Sequence, residues 1–99
     1  MRLLITGSSK GIGRESAIAF ARRGDDVCLH GRDPEHLAAA TASVRSAQES
    51  LPPERRGAVV EVMGDLTDPD SCSRVVSQAV ERLGVAIEAM PGAARAPLT

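Results

Sequence analysis

Three short apolar runs alternate with longer amphipathic stretches along this chain. Leu3-Leu4-Ile5 lies in a segment, residues 2–6, that reads as a buried strand. After a glycine-rich turn, Gly13, Ala17, Phe20, Ala21 and Gly24 recur at helical spacing. Their small side chains predict a helix packed close to a sheet, with Gly24 as its C-terminal stop. Asp26 to Gly31 predicts a second strand centred on Val27-Cys28-Leu29. Asp33-Pro34-Glu35 is a helix start, with a capping acid, a proline in the first turn and a second acid behind it. Leu37, Ala40, Val44, Ala47 and Leu51 then form one apolar stripe, ended by Pro52-Pro53. Glu54-Arg55-Arg56-Gly57 reads as a polar loop, and the valine-rich segment Ala58 to Met63 as a third strand. Asp68-Pro69-Asp70 repeats the helix-start signature. Cys72, Val75, Val76, Ala79, Val80 and Leu83 give the apolar face of a helix expected to stop at Gly84. Beyond it Val85, Ile87 and Ala89 alternate with Ala86, Glu88 and Met90, which fits a short fourth strand, and Pro91 to Thr99 reads as a loose tail.

The order β-α-β-α-β-α implies an α/β fold with a parallel sheet and right-handed crossovers. At 99 residues there is room for one domain, and 42% hydrophobic content suits a soluble globular one. The single aromatic residue, Phe20, leaves the core to Val, Leu, Ile and Ala. A net charge of −1 argues against bulk nucleic-acid or membrane-surface binding. No apolar run is long enough to span a bilayer, and Met1-Arg2 leads straight into the first strand without a signal-peptide pattern. Cys28 and Cys72, isolated and inside predicted elements, read as reduced thiols of a cytoplasmic protein. No Cys, His and acid set has metal-ligand spacing, so no metal site is expected. His30 on its strand, His36 in a first helical turn, and the pairs Arg22-Arg23 and Arg55-Arg56 read as structural or solvated.

Chemistry concentrates in Thr6-Gly7-Ser8-Ser9-Lys10-Gly11-Ile12-Gly13. Strand, glycine turn and helix start together make a phosphate cradle, because a helix N-terminus presents free N–H groups and partial positive charge. Gly7 suits the tight turn, Gly11 a close backbone approach to pyrophosphate, and Gly13 close helix–strand packing.

This motif resembles the cofactor motif of the short-chain dehydrogenase/reductase family. Val27 to Arg32 resembles that family's second strand and its end, and Gly64-Asp65-Leu66-Thr67-Asp68 the segment after its third. The likeness covers residues 2–84 and implies an incomplete, Rossmann-like doubly wound sheet over that span, with 85–99 as a degraded fourth strand and tail. It implies a dinucleotide cofactor: Thr6, Gly7, Gly11, Ile12 and Gly13 at the pyrophosphate, Ser9 near the adenosine phosphate, and Asp65 on the adenine amino group with Leu66 beside it. An acid at the end of strand two would accept from a free ribose 2′-OH, but Gly31-Arg32 stands there. Arg32 can pair bidentately with a phosphate and Lys10 adds a second cation. In the family, basic residues at these places go with NADP(H), which is therefore favoured over NAD(H). Asp33 complicates that reading, and a capping role accounts for it.

The family's catalytic set is a Ser followed by Tyr-x-x-x-Lys. This chain has no Tyr, and Lys10 is its only Lys. Where the resemblance predicts Asn-Asn-Ala-Gly it has Met90-Pro91-Gly92-Ala93. The expectation is the cofactor-binding half of an NADP(H)-dependent oxidoreductase, with no catalytic residues of its own. Two alternatives stand beside it. One is a non-catalytic dinucleotide-binding or docking module that associates through the open edge of strand one. The other is the product of a truncated or frame-shifted gene.

Overall fold

The computed structural model describes residues 1–89. The end of the expected fourth strand at Met90, the segment Met90-Pro91-Gly92-Ala93 and the tail Pro91 to Thr99 lie outside the described residues. Strands β1 (Arg2–Ile5), β2 (Asp26–Gly31) and β3 (Val59–Met63) alternate with helices α1 (Gly11–Arg22), α2 (Pro34–Ala47) and α3 (Pro69–Glu88). The strands form one parallel sheet in the order β1-β2-β3. Leu3 aligns with Val27, and Val27 with Val59.

Central β2 is buried along its whole length, and its period of two feeds two cores. Val27 and Leu29 point to one face, against Ala17 and Ala21 of α1 and Leu37, Ala40 and Val44 of α2. Cys28 points to the other, with Val62 of β3, under Val75, Ala79 and Leu83 of α3. Helices on both faces explain why the strands read as continuous apolar runs rather than as alternating ones.

The capping signals act as expected. Asp33 Oδ1 accepts from the Glu35 and His36 amides at 2.9 and 3.3 Å, and Asp68 Oδ1 from Asp70 at 3.2 Å. Gly24, at φ +88°, follows the end of α1 in the left-handed region. The α2 stripe runs into a 3-10 turn, Gln48–Ser50, before the prolines. There the buried Gln48 donates to the Gly57 carbonyl at 2.8 Å. Arg56 is not simply solvated: its Nε donates to the carbonyls of Gln48 and Leu51 at 3.0 and 2.9 Å, tying the loop before β3 to the end of α2.

Two expectations for the third helix are corrected. It does not stop at Gly84 but continues to Glu88, so residues 85–88 are helical and form no fourth strand. Ile87 falls four residues after Leu83 and packs on the same core. That burial outweighs the cost of one interior glycine, about 1 kcal/mol. The predicted apolar face is also wider than the buried one. Val75, Ala79 and Leu83 are buried, whereas Val76 and Val80 stay 49% and 69% exposed. The surplus lies toward β1, whose outer edge pairs with no strand among the described residues.

Candidate functional site

The carboxyl ends of the three parallel strands and the turn after β1 come together at one end of the sheet. That turn folds because Gly7 and Gly11 occupy the left-handed region, at φ +62° and +64°. Gly13 matters for space instead. A Cβ there would stand 2.5 Å from the Gly7 carbonyl oxygen and 2.9 Å from Ser8 Cα, so only glycine lets α1 press on the turn. Gly31 plays the same part from β2, where a Cβ would meet Ser9 Cβ at 2.9 Å.

The turn is tied to β2 through His30 and the fully buried Ser8. Ser8 N donates to the His30 carbonyl at 2.8 Å, and His30 N to Ser8 Oγ at 2.8 Å. The His30 ring is buried and bridges two chain segments. Its Nδ1 accepts from the Gly7 amide at 3.1 Å, and its Nε2 lies 2.8 Å from the Gly64 carbonyl. An amide can only donate, so Nδ1 is the bare nitrogen and Nε2 carries the proton to Gly64. One imidazole thus joins the turn after β1 to the end of β3. Sequence reasoning left His30 among the structural residues without this role; the signal available was a polar ring directly after the apolar run Val27-Cys28-Leu29 of a predicted strand.

Helix α1 differs from α2 and α3 at its start. Lys10 sits at the capping position with extended backbone and no side-chain capping bond, and the first turn holds no acid. Its leading amides therefore lack the carboxylate that Asp33 and Asp68 supply to the other two helices. Beside this end a cavity of about 430 Å³ is lined by Gly7, Ser9, Lys10, His30, Gly31, Arg32, Asp33 and His36. The sequence-predicted Gly7, Ser9, Lys10 and Arg32 are thus brought together. Gly11 and Ile12 line a neighbouring groove along α1, with the Ile12 side chain 87% exposed. Thr6 is exposed at the head of the turn.

The acids at this end are held ionised. The His36 and Glu35 amides lower the Asp33 pKa, and the charges of His36 and Lys10 add to the effect. The Asp65 pKa is lowered by the Thr67 hydroxyl and amide, which donate at 2.7 and 2.9 Å, and also by the charge of Arg32. Asp65 and Leu66 stand at the end of β3, outside the cavity lining. The Asp65 carboxylate closes its own turn there, while its amide donates to Ser71 Oγ at 3.1 Å.

Comparison with known proteins gives a consistent picture. The family model described as short chain dehydrogenase matches residues 2–90. Glucose 1-dehydrogenase of Gluconobacter oxydans is 32% identical over 83 residues, which are 84% of this chain and 29% of that protein. A short-chain dehydrogenase from Sphingobium yanoikuyae, solved in complex with NADPH, superposes with a TM-score of 0.61 at 39% identity, over 76% of this chain and 27% of its own. The NADH-dependent reductase A1-R′, complexed with NAD, superposes with a TM-score of 0.67 at 37% identity, over 84% and 32%. The chain thus spans about a third or less of the length of each relative.

Proposed function

This chain belongs to the short-chain dehydrogenase family, and from that premise we propose that it is the NADP(H)-binding portion of an oxidoreductase. The observation that carries the NADP(H) preference is the cavity where Lys10 and Arg32 stand beside Gly7 and Ser9. Two cations at that point suit the 2′-phosphate of the cofactor. The uncapped start of α1 suits the pyrophosphate, held by Gly7, Gly11, Ile12 and Gly13 with Thr6 at the head of the turn. Ser9 stands near the adenosine phosphate. Asp65 accepts from the adenine amino group through the carboxylate oxygen its turn does not use, with Leu66 against the ring. The space denied to a Cβ at Gly13 fits a cradle in which the helix start is pressed against the turn.

When bound, the nicotinamide supplies or accepts the hydride; this chain's residues hold the phosphate and adenosine end. The substrate of the longer protein is a carbonyl or alcohol, and the setting is cytoplasmic, in keeping with free thiols at Cys28 and Cys72. Among the described residues no helix is long and apolar enough to cross a membrane. With no tyrosine to exchange a proton, the 99 residues alone reduce no carbonyl. The test is calorimetric titration with NADPH and NADH. NADPH binds more tightly, and joint replacement of Lys10 and Arg32 by alanine costs about tenfold for NADPH and little for NADH. Equal loss for both cofactors would remove the 2′-phosphate assignment.

A second reading is favoured by the open edge of β1. A cavity of about 360 Å³ there is lined by Leu3, Leu4, Val76, Val80 and Leu83. An apolar groove beside a β1 edge that pairs with no strand among the described residues suits an added strand from another copy. Light scattering separates the readings: a species of defined stoichiometry supports self-association, and a monomer at high concentration removes it.

A further inference from the structure

We infer that His36 is a proton-dependent selectivity residue at the phosphate end of this cavity, favouring a ribose 2′-phosphate over a 2′-hydroxyl when it is charged. The inference rests on the reading of Lys10 and Arg32 as the 2′-phosphate site. It starts from the set of charges that line the cavity. Lys10 enters from the turn after β1, Arg32 from the end of β2, and Asp33 and His36 from the start of α2. Glu35 is exposed on the same helical turn and is not part of the lining.

Asp33 is the one anion of the lining, and its two oxygens have different tasks. Oδ1 caps α2 by accepting from two amides. Oδ2 lies 3.5 Å from His36 Nδ1, with both side chains more than half exposed. With a neutral imidazole, two fixed cations face one carboxylate. With an imidazolium, the Asp33 charge is offset and the surplus positive charge doubles from one to two.

The two ribose ends read that change differently. A 2′-phosphate carries nearly two negative charges and gains from each added cation. A 2′-hydroxyl is neutral, and it gains instead when Asp33 Oδ2 is released from the imidazole and free to accept its proton. Histidine is the side chain suited to change charge between about pH 5 and 8. Lowering pH across that range therefore raises the preference for the phosphorylated ribose. Protonation of the phosphate itself, near pH 6, acts in the opposite sense, so the effect must be read against a variant without the imidazole.

The experiment is calorimetric titration of the full 99-residue chain with adenosine 2′,5′-bisphosphate and with adenosine 5′-monophosphate. Parent and His36→Asn are compared at about pH 5.5 and about pH 8. His36 is exposed and its ring makes no bond to a core residue, so the variant keeps the fold. At about pH 8 the two proteins give the same ratio of affinities. At about pH 5.5 the parent ratio exceeds that of the variant by about three- to fivefold, the range of a partly exposed ion pair. Equal ratios in parent and variant at both pH values would overturn the role of His36 and leave the Lys10–Arg32 site standing. A parent that binds the bisphosphate no better than the monophosphate at either pH would remove that site, and the inference with it.

Discussion

Replacing Gly13 by alanine tests whether the turn after β1 is held by steric fit. The added Cβ would meet the Gly7 carbonyl oxygen at 2.5 Å and Ser8 Cα at 2.9 Å. Both obstacles are backbone, so no side chain can swing aside, and the turn or α1 must move. Overpacking of this kind costs about 1–3 kcal/mol, and a rigid backbone neighbour puts Gly13→Ala at the upper end. The same chemical change elsewhere supplies the controls. At Gly11 a Cβ meets nothing within 4 Å but the residue sits at φ +64°, so the cost is conformational, about 1–2 kcal/mol. At Gly84 a Cβ also meets nothing within 4 Å, and the residue is interior to α3 with no positive φ. There alanine stabilises by about 0.8–1 kcal/mol. Urea unfolding followed by circular dichroism reads all three. With a slope of about 1 kcal/mol per molar, the midpoint falls by about 2–3 M for Gly13→Ala and rises by about 1 M for Gly84→Ala. A Gly13→Ala midpoint equal to that of the parent would refute the steric argument. A lowered midpoint for Gly84→Ala would refute the continuous helix.

Three further outcomes follow from the same contacts. His30→Ala leaves the Gly7 amide without its acceptor, costing about 1–3 kcal/mol and speeding hydrogen exchange at Gly7; unchanged exchange there would contradict the bridging role. Burial pushes the Cys28 thiol up to about 11, so Cys28 stays unlabelled by a thiol reagent at about pH 8 until the chain unfolds; rapid labelling of the folded chain at Cys28 would contradict its burial. The Asp33 and Asp65 carboxyls are lowered from 3.8 by folding, so each contributes stability in full above that pH and loses it as pH falls through the lower folded value. Acid unfolding of the double variant Asp33→Asn, Asp65→Asn should therefore be less steep below about pH 4 than that of the parent; identical profiles would show that these carboxylates do not bear on it.

The fold was legible wherever one physical cause dominated. The apolar runs around Leu4, Cys28 and Val62 became parallel strands because helices cover both faces of the sheet. The Asp33-Pro34 and Asp68-Pro69 signatures located two helix starts, since a capping carboxylate acts within three residues of itself. Residues 85–88 misled because Val85, Ala86, Ile87 and Glu88 satisfy both a period of two and a continuation of the helical stripe. Packing of Ile87 decided between them, and packing is not local. Lys10 and Arg32 could be paired through the family resemblance, and they do line one cavity. The parts played by His30 and Arg56 could not be read, because each bonds backbone groups of segments whose placement depends on the whole fold.

Strand β1 carries two properties at once: its outer edge pairs with no strand among the described residues, and the glycine turn grows from its carboxyl end. Any strand that joins that edge, from whichever chain, has one of its ends beside the start of α1. Assembly at this edge, if it occurs with nucleotide bound nearby, would be linked to nucleotide binding. If a partner at the edge alters nucleotide affinity by some factor, the nucleotide must alter partner affinity by the same factor. Thermodynamic reciprocity would thus let either event be measured through the other, with a nucleotide titration reporting on assembly and a dilution series reporting on nucleotide.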